Sequence, residues 1–366
     1  MTVGIVGAGQ LGRMMALAGY PLGLDFLFLD PSAAPPAAQL APLLNSAFDD
    51  DAALEALARR CEVVTIDWEN VSVAALRRIG RATRVSPPPA AIAAAQDRVS
   101  EKRLFEKLGI PTTRWRAVST RRQLDAALRD IGLPAIVKTR RMGYDGKGQA
   151  VLRSAADAQH AWEQLGQMPL LYEELVPFDL EVSVIGVRAR NGECRVYPLN
   201  RNLHSGGILR LTRAPYGGEA LNRLARRQVL RLMERLRYVG VLTIEYFVRR
   251  GRLIANEIAP RVHNSGHWSI EGAVTSQFEN HLRAILGLPL GDTAAKGYSA
   301  MINLIGTMPS RAQLLRHPGV HLHDYGKQPR PGRKLGHVTV VERDSASCER
   351  RARRLLAELA PGIHIP

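Results

Sequence analysis

Short apolar runs alternate with amphipathic segments along the first 95 residues. The runs 2–6, 24–29 and 63–66 predict strands, and the segments between them predict helices. The turn Gly7-Ala8-Gly9-Gln10-Leu11-Gly12 links the first strand to the first helix, and Asp30 ends the second strand. This spacing resembles a dinucleotide-binding turn, although it serves any βαβ unit that brings an anion to a helix N-terminus. Too few strands fit before residue 95 for a complete six-stranded Rossmann domain.

The same alternation continues from 114 to 175 around a glycine-rich segment. A strand predicted at 133–138 ends in Lys138, and the segment 143–149 leads into the return strand at 150–152. Three glycines in six residues allow positive φ and expose backbone N–H groups. With Lys138 at its base and Lys147 at its tip, this flap is suited to closing over a polyphosphate. An ordinary flexible hairpin is the alternative for a bare G-x-x-G-x-G.

The remaining pattern predicts an α+β region. A proline run at 86–89 suggests a boundary, followed by one helix from about 90 to 108. Further predicted strands cover 181–188, 194–199, 241–248, 253–258, 301–304 and 337–341, with helices at 219–237, 275–286 and 345–359. The predicted domains are 1–95, 96–178 and 179–366. The fold class is therefore α/β and α+β, with a Rossmann-like first domain.

Composition narrows the function. The chain has 366 residues and a formal net charge of +16. Its arginine pairs are scattered and have few aromatic residues between them, which argues against a nucleic-acid-binding stripe. Apolar runs stay short of the roughly 20 residues that span a bilayer, and the sequence enters a strand without a signal peptide. Three distant cysteines indicate neither a disulfide framework nor a zinc site, so a cytoplasmic location is expected.

Two glutamates on a predicted hairpin suggest a metal site. Glu245 lies on one strand and Glu257 on the next, with Asn256 beside it. A three-residue loop centred on Gly251 would place the glutamates opposite each other, whereas a two-residue loop would place them on a diagonal. Like charges this close require a cation, and carboxylate and amide oxygens suit Mg²⁺. One glutamate pointing to solvent is the alternative.

Two further segments carry candidate binding groups. Pro260 ends the second strand of the hairpin, and the loop that follows contains Arg261, His263 and Asn264. A guanidinium, an imidazole and an amide within four residues could hold a small oxyanion such as bicarbonate. Near the C-terminus, a basic glycine turn contains Arg333 and Lys334. It suits a phosphate monoester, although a solvated turn is equally compatible with the sequence.

Together these motifs resemble the N5-carboxyaminoimidazole ribonucleotide synthetase family of ATP-grasp enzymes. The resemblance runs nearly end to end. It rests on Gly9 to Met14, Gln96 to Lys102, Gly143 to Gln149, Tyr197 to His204, Asn256 to Trp268 and Arg330 to His337. It implies an ATP-grasp fold with a pre-ATP-grasp domain, a small flap-bearing lobe and a C-terminal α+β domain. It also implies a homodimer.

The resemblance also implies roles for individual residues. For ATP these are Arg98, Lys138, Gly143, Tyr144, Asp145, Gly146, Lys147, Gly148, Gln149, Glu173, Glu174, Leu175, Val176, Glu181, His204, Asn256 and Glu257. The metal ligands would be Glu245 and Glu257, binding Mg²⁺ with Mn²⁺ as an alternative. The substrate 5-aminoimidazole ribonucleotide would contact Gln10, Leu11, Glu69, Tyr144, Asp145, Arg261, Arg333 and Lys334. The catalytic residues would be Arg261, His263, Asn264 and Lys147.

The implied reaction is an ATP- and bicarbonate-dependent carboxylation of this substrate in purine biosynthesis, through carboxyphosphate. The family often has other residues where Asp67-Trp68 stands, and Arg201 replaces a commonly acidic position. Other readings are a formate-dependent glycinamide ribonucleotide transformylase of the same fold, an NAD(P)-dependent oxidoreductase based on Gly7–Gly12 and Asp30, and a basic nucleic-acid-binding module. No nucleic acid and no membrane are expected as partners.

Overall fold

The computed structural model describes residues 1–143, 147–360 and 363. Its strands are β1 (Thr2–Val6), β2 (Asp25–Leu29), β3 (Leu43–Leu44), β4 (Val63–Ile66), β5 (Arg84–Val85), β6 (Trp115–Val118), β7 (Ala135–Thr139), β8 (Gln149–Leu152), β9 (Leu170–Glu174), β10 (Leu180–Arg188), β11 (Cys194–Val196), β12 (Asn200–Ser205), β13 (Ile208–Ala214), β14 (Gly240–Arg249), β15 (Arg252–Ala259), β16 (Tyr298–Ile305), β17 (His321–Asp324) and β18 (Lys334–Glu342). Its helices are α1 (Gln10–Gly19), α2 (Asp51–Arg60), α3 (Val73–Ile79), α4 (Pro89–Ala95), α5 (Arg98–Lys107), α6 (Arg121–Ile131), α7 (Ala155–Leu165), α8 (Glu219–Arg235), α9 (Ser269–Gly272), α10 (Gln277–Leu286), α11 (Arg311–Leu315) and α12 (Ser345–Leu359). Short 3₁₀ helices cover Tyr20–Leu22 and Asn264–Gly266.

The N-terminal sheet is parallel, with strand order β3-β2-β1-β4-β5. The helices α2 and α3 bury Leu54, Leu57 and Leu76 against one face of it. The helix α1 packs on the other face, where Met15 is fully buried. This arrangement confirms the predicted Rossmann-like domain with fewer than six strands. It also brings the ends of β1 and β4 to one edge of the sheet.

The middle sheet is antiparallel, with order β6-β9-β7-β8, and carries the flap. The helices α6 and α7 cover one face around a core that includes Val118, Val137 and Tyr172. A capping box begins α7, since Ser154 accepts from the N–H of Asp157 and the Asp157 carboxylate accepts from that of Ser154. Lys138 at the end of β7 pairs with Gln149 at the start of β8. The flap therefore connects two neighbouring strands, as predicted.

The largest sheet runs β15-β14-β10-β12-β13-β16-β18-β17 in antiparallel register, with β11 also pairing with β10. The C-terminal strands thus continue the sheet that carries the glutamate hairpin, and α12 packs against β16 and β18. The predicted domain boundaries near residues 95 and 178 stay predictions. Among the described helices, none is both long enough and apolar enough to cross a membrane.

The predicted secondary structure was wrong in two places that bear on the site. The single helix expected at 90–108 is divided, because α4 ends at Ala95 and α5 begins at Arg98. Asp97 causes the break: its carboxylate accepts hydrogen bonds from the N–H groups of Val99 (3.0 Å) and Ser100 (3.2 Å) and so caps α5. The strands β12 and β13 were not expected, and β12 supplies His204.

Candidate active site

A β-bulge places the two predicted metal ligands opposite each other. The loop between β14 and β15 has only two residues, Arg250 and Gly251, both with positive φ (50° and 72°), as in a type I′ turn. Such a loop alone would set Glu245 and Glu257 on a diagonal. The register shifts between Glu245 and Tyr246, so that Glu245 pairs directly with Glu257 and Asn256 becomes the extra residue. The structure thus combines the shorter loop with the opposed geometry.

The same bulge turns the neighbouring side chains of Asn256 and Glu257 away from the core, toward the predicted nucleotide residues. Leu253, Ala255 and Ile258 point into the core, so the apolar spacing changes from two to three at the bulge. Asn256 and Glu257 therefore both lie off the core face. Glu257 Oε2 is 3.1 Å from Arg98 Nη1, and Asn256 Oδ1 is 3.5 Å from Lys138 Nζ. Predicted nucleotide residues from three parts of the chain thus meet here.

Glu245 is an ionised, partly buried carboxylate. Its Oε1 lies 3.0 Å from His263 Nε2, and His263 Nδ1 lies 2.8 Å from the hydroxyl of Ser265. Burial alone would raise the pKa of Glu245, but the hydrogen bond and charge of His263, together with His204 and Lys334, hold it at about 2. No further partner of Glu245 Oε2 is found among the described residues, so this oxygen can serve as a ligand.

Lys138 is fixed by a buried ion cluster. Glu173 is 1% exposed, and its carboxylate lies 2.7 Å from both Lys102 Nζ and Lys138 Nζ and 2.6 Å from Thr113 Oγ1. Burial would raise the pKa of Glu173, but the two ammonium groups hold it well below its usual range. The motifs in the sequence predict no role for Lys102. The rarity of lysine in this chain, seven of 50 basic residues, was the only available signal.

Glu101 adds a second buried carboxylate beneath Arg98. Its Oε1 accepts a hydrogen bond from the backbone N–H of Ile258. Burial, and next the charge of Glu257, raise the pKa of Glu101 to about 8. The helix α5 therefore supplies three charged groups, Arg98, Glu101 and Lys102, from little more than its first turn.

The described residues on the two sides of the flap are tied to α5. Asp97 lies 2.7 Å from Arg140 Nη2 and 3.3 Å from Arg141 Nε. The N–H of Arg98 donates to the carbonyl oxygen of Arg140 (3.0 Å). Gly143, Lys147, Gly148 and Gln149 are described, whereas the predicted residues Tyr144, Asp145 and Gly146 lie outside the described residues. The base of the flap is thus held beside Arg98.

The predicted ribose and nucleotide residues form an ion pair. His204 Nδ1 lies 2.9 Å from Glu181 Oε2, across the neighbouring strands β12 and β10. Burial alone would lower the pKa of His204, but the hydrogen bond to Glu181 and the charges of Glu245 and Glu257 raise it to about 8. His204 is therefore a cation at the edge of the metal pair.

The predicted adenine segment begins at the strand end that follows Glu173. Arg249 lies 3.9 Å from the carboxylate of Glu174, and the N–H of Leu175 donates to the carbonyl oxygen of Pro134 (3.2 Å). Val176 is buried. The segment is thus held by a backbone hydrogen bond at Leu175 and by the side-chain contact of Glu174 with β14.

Arg261 lies between the predicted substrate and bicarbonate groups. Its Nη2 donates to Glu69 Oε1 (2.9 Å), and its Nε donates to Glu69 Oε2. Burial opposes the charge of Arg261, but Glu69 raises its pKa above the usual value, and Arg261 lowers that of Glu69 against the effect of burial. The pair is ionised.

Asn264 presents a buried amide without a partner. Neither its Oδ1 nor its Nδ2 forms a hydrogen bond with any residue that the structure describes. An unsatisfied buried amide costs free energy, so such groups generally face a ligand or an ordered water. Asn264 follows His263 directly, and the empty donor and acceptor lie on the same loop as Arg261. This is the pattern expected of a group that binds a small oxyanion.

Two carboxylates of the protein itself, Asp67 and Asp30, bind the glycine turn of the first domain. Asp67 accepts hydrogen bonds from the N–H groups of Gly9 and Gly12, and Asp30 accepts from that of Ala8. Burial, opposed by these hydrogen bonds, raises the pKa of Asp67. A Cβ on Gly9 would lie 2.4 Å from Asp67 Oδ2, so only glycine fits there. The N–H groups of Ala8, Gly9 and Gly12 are therefore not available to a dinucleotide phosphate.

The predicted substrate residues Gln10 and Leu11 lie at the end of this turn. Gln10 Oε1 accepts a hydrogen bond from Lys327 Nζ, a contact between distant parts of the chain that no sequence motif predicts. Burial lowers the pKa of Lys327 to about 8, and the charges of Arg330, Arg333 and Lys334 act in the same direction. Leu11 is buried in the core. The basic turn thus faces the first domain, with Lys327 between them.

Arg333 and Lys334 complete this basic cluster. Arg333 Nη1 donates to the carbonyl oxygen of Gln328 (3.1 Å), and Gly332 has a φ of 73°, which allows the tight turn. Lys334 begins β18, and its charge lowers the pKa of Glu245. A phosphate held by this turn would therefore lie near the metal pair.

Comparison with known proteins agrees with this arrangement. Three family models match: the ribonucleotide synthetase preATP-grasp domain at residues 1–96, the ATP-grasp domain at 103–278, and the phosphoribosylaminoimidazole carboxylase C-terminal domain at 299–351. The N5-carboxyaminoimidazole ribonucleotide synthase of Pseudomonas aeruginosa is 50% identical over 96% of this chain and 97% of its own. The protein of the same name from Brucella melitensis is 43% identical over 93% and 96%.

Solved structures show the same fold. The N5-carboxyaminoimidazole ribonucleotide synthetase of Thermus thermophilus matches all of both chains at 50% identity and a TM-score of 0.95. The N5-carboxyaminoimidazole synthase of Aspergillus clavatus, solved with ADP and 5-aminoimidazole ribonucleotide, matches 98% of both chains at 30% identity and a TM-score of 0.90. These matches confirm the predicted ATP-grasp architecture. The chain therefore belongs to the N5-carboxyaminoimidazole ribonucleotide synthase family, the ATP-dependent ATP-grasp ligases of purine biosynthesis.

Proposed function

We propose that this protein carboxylates the amine of 5-aminoimidazole ribonucleotide, using bicarbonate and ATP, through carboxyphosphate. Bicarbonate attacks the γ-phosphate of ATP, which gives carboxyphosphate and ADP. The substrate amine then takes the carboxyl group, and phosphate leaves. The relatives carry the name of this activity, and one similar structure was solved with ADP and this ribonucleotide. Free CO₂ as the transferred species is compatible with the same residues.

The ATP groups proposed from the sequence converge around one cleft. Arg98 and Lys138 would neutralise the phosphates, and the flap 143–149 would cover them. The segment 173–176 would hold adenine, while Glu181 and His204 would hold the ribose. The support is the set of contacts that link Arg98 to Glu257 and Lys138 to Asn256. Glu173 acts in this proposal by positioning Lys138.

The donor set fits Mg²⁺. Glu245 and Glu257 are paired across the hairpin, and Glu245 is ionised at neutral pH. Among the described residues no group of three or more His, Cys, Asp or Glu side chains could hold a metal, so phosphate oxygens and water would complete the coordination. When bound, the ion would neutralise charge on the transferred phosphoryl group. Mn²⁺ accepts the same oxygen ligands.

The loop after β15 would hold the carboxyl group. Arg261 would place its positive charge at carboxyphosphate, and the unpaired amide of Asn264 would orient it. His263, hydrogen-bonded to Glu245, would connect this group to the metal site. The ribonucleotide would contact Gln10, Leu11 and Glu69 on one side. On the other side it would contact Tyr144 and Asp145 of the flap, Arg261, and the basic turn with Arg333 and Lys334.

Water must be kept from carboxyphosphate, because this mixed anhydride hydrolyses readily. A glycine-rich flap can open for substrates and close over them, which a rigid strand pair cannot. When the flap closes, the ammonium group of Lys147 would contact the phosphates of ATP. The flap base, held through Arg140 by Asp97, gives it a fixed hinge beside Arg98.

The unpartnered Asn264 amide carries the proposal, because it lies on the same loop as the ionised Arg261 and directly follows His263, which contacts Glu245. The test is ADP release with and without 5-aminoimidazole ribonucleotide and bicarbonate. We expect release to require both, and product to form in equal amount to ADP. Dependence on formate in place of bicarbonate would contradict the proposal and favour the transformylase reading.

Two further expectations follow the family resemblance. We propose a homodimer in the cytoplasm, and light scattering during size-exclusion chromatography tests the first point. The structure disfavours the oxidoreductase hypothesis, because Asp67 and Asp30 accept hydrogen bonds from the N–H groups of Ala8, Gly9 and Gly12 in the glycine turn. The glutamate-to-glutamine variants at 245 and 257 test the metal site, since each should raise the Mg²⁺ concentration needed for half-maximal activity.

A further inference from the structure

A second cavity, of about 450 Å³, lies in the C-terminal region and is lined mainly by cations. It is formed by the helix α12, the end of β18 and the turn after α11. Its lining residues include Arg316, His317, Arg350, Arg351 and Arg354. Small-molecule sites commonly have volumes of about 300–1,000 Å³, so this cavity could hold a nucleotide-sized ligand. None of these residues belongs to the proposed active site.

The basic wall is one face of α12. Ser347, Arg350, Arg351 and Arg354 recur at intervals of three and four residues, which places them on the same side of a helix. Leu355 and Pro318 add apolar surface to the lining. The cavity therefore combines several guanidinium groups with an apolar patch.

The carboxylates near this cavity do not balance its charge. Glu342 pairs with Arg351, and Glu358 pairs with both Arg316 (2.7 Å) and His317 (3.1 Å). Arg350 donates to the hydroxyl of Ser347 (2.9 Å), which itself donates to the carboxylate of Asp344 (2.8 Å), so Arg350 forms no direct ion pair among the described residues. Arg354 forms neither a hydrogen bond nor an ion pair with any residue that the structure describes. Guanidinium groups clustered in this way favour a bidentate anion between them.

We propose that this cavity binds a phosphorylated small molecule, with its phosphate between Arg350 and Arg354 and its organic part against Leu355 and Pro318. A phosphate carries close to two negative charges and three acceptor oxygens, which matches the N–H groups of two guanidinium groups that form no ion pair. A sugar or base of a nucleotide would fill the remaining volume.

This site is separate from the substrate site. The strand β18 runs from Lys334, in the basic turn of the proposed active site, to Glu342 in the cavity wall. Eight residue steps at about 3.3 Å give a separation of about 26 Å along the strand. A ligand in the cavity would therefore bind without displacing the ribonucleotide.

The test is calorimetric titration of the full-length protein with guanosine monophosphate, and with guanosine as the control that lacks phosphate. Saturating ADP and Mg²⁺ keep the nucleotide site filled. The variant R350Q/R354Q removes the two unpaired guanidinium groups from exposed positions, so the thermal midpoint should stay close to that of the parent. The matched control R226Q/R227Q removes two exposed arginines from α8. The variant K334A impairs the proposed ribonucleotide site.

We expect R350Q/R354Q to weaken guanosine monophosphate binding at least about tenfold, while K334A and R226Q/R227Q leave it unchanged. Guanosine should bind much more weakly. Loss of binding in K334A alone would place the nucleotide in the ribonucleotide site and overturn the proposal. If both arginine double variants weakened guanosine monophosphate binding equally, the binding would depend on overall positive charge and the proposed site would be overturned. Binding of a nucleic-acid duplex, but of no mononucleotide, through Arg350 and Arg354 would also overturn it.

Discussion

Glu69 accepts two hydrogen bonds from the guanidinium of Arg261, although 192 positions separate them in the chain. Glu69 follows β4 of the N-terminal parallel sheet, whereas Arg261 follows β15 of the large antiparallel sheet. The pair therefore joins two sheets at the place where the ribonucleotide and the carboxyl group are proposed to meet. A fork-to-carboxylate contact fixes the orientation of the guanidinium as well as its position.

The substitution Glu69→Gln should damage catalysis more than folding. The amide keeps the shape but loses the charge and one of the two acceptors, so Arg261 loses its fixed orientation. We expect kcat/KM for the ribonucleotide to fall about a hundredfold, which corresponds to ~2.7 kcal/mol, with little change in the KM for ATP. Steady-state kinetics provide the measurement. The control Glu55→Gln removes an exposed pair with Arg59 and should change nothing. Parent-like kinetics in Glu69→Gln would refute the orienting role of this carboxylate.

Lys102 should matter for ATP without touching it. Replacement by Met keeps the volume but leaves the buried Glu173 with Lys138 and Thr113 only. Removing one cation from a buried ion cluster lowers the free energy of unfolding by about 3 kcal/mol. The ammonium group of Lys138 would then move toward Glu173. We therefore expect a lower thermal midpoint and a several-fold higher KM for ATP. The exposed Lys107 on the same helix provides the control Lys107→Met. An unchanged KM for ATP in Lys102→Met would show that the cluster is only structural.

The hairpin with Glu245 and Glu257 shows how far the sequence leads. Alternating apolar residues and a central glycine predicted two paired strands and two close carboxylates. The two-residue turn alone would have given the diagonal arrangement. The deciding feature was the bulge at Asn256, which shows in the sequence only as a change in apolar spacing between Ala255 and Ile258. A single change in apolar spacing from two to three residues is too common in strands to identify a bulge from the sequence.

The strand β12 was missed because its inward side chains are polar. Asn200 and Asn202 are buried, and the side-chain amide of each donates a hydrogen bond to the hydroxyl of Ser183. Asn200 also accepts a hydrogen bond from the indole N–H of Trp268. A polar run of this kind is indistinguishable from a loop in a hydropathy pattern. The partners that satisfy these amides come from residues far away in sequence, so only the tertiary structure reveals the strand.

Contacts between distant charged groups were also beyond the sequence. The glycine turn predicted an anion at the N-terminus of α1, which is correct, but the anion is the side chain of Asp67. Nothing in the order of residues distinguishes this internal carboxylate from a bound phosphate. The lysines Lys102 and Lys327 were missed for the same reason, since their partners Glu173 and Gln10 are distant in sequence.

The ion pair of His204 and Glu181 should make stability depend on pH. Burial alone would lower the pKa of His204, but Glu181, Glu245 and Glu257 raise it from 6.5 to about 8. Because the folded protein binds this proton more tightly than the unfolded chain, the contribution is complete below pH 6.5. It is lost as the pH rises through about 8. The full contribution is about 2 kcal/mol.

Urea unfolding of the parent and of His204→Gln, without nucleotide or metal, measures this effect. The stability difference between them should shrink by about 2 kcal/mol as the pH rises from about 5.5 to about 9, a range that extends one pH unit beyond both pKa values. The exposed His160 offers the control His160→Gln, for which no such trend is expected. A difference that stays constant or grows over this range would mean that His204 is neutral in the folded protein.

Lys147 should couple ATP cleavage to carboxyl transfer. The flap base is held beside Arg98 by Asp97 and Arg140, so removing the side chain of Lys147 leaves the hinge intact and weakens only closure over the phosphates. Bicarbonate would still attack the γ-phosphate, but water would reach carboxyphosphate before the amine does. We expect Lys147→Ala to release several-fold more ADP than carboxylated product, where the parent forms them in equal amount. Parallel assays of ADP and product over one time course measure the ratio. The control Arg153→Ala, beyond β8, should keep the ratio at one, and an equal ratio in Lys147→Ala would exclude a role for this lysine in closing the flap.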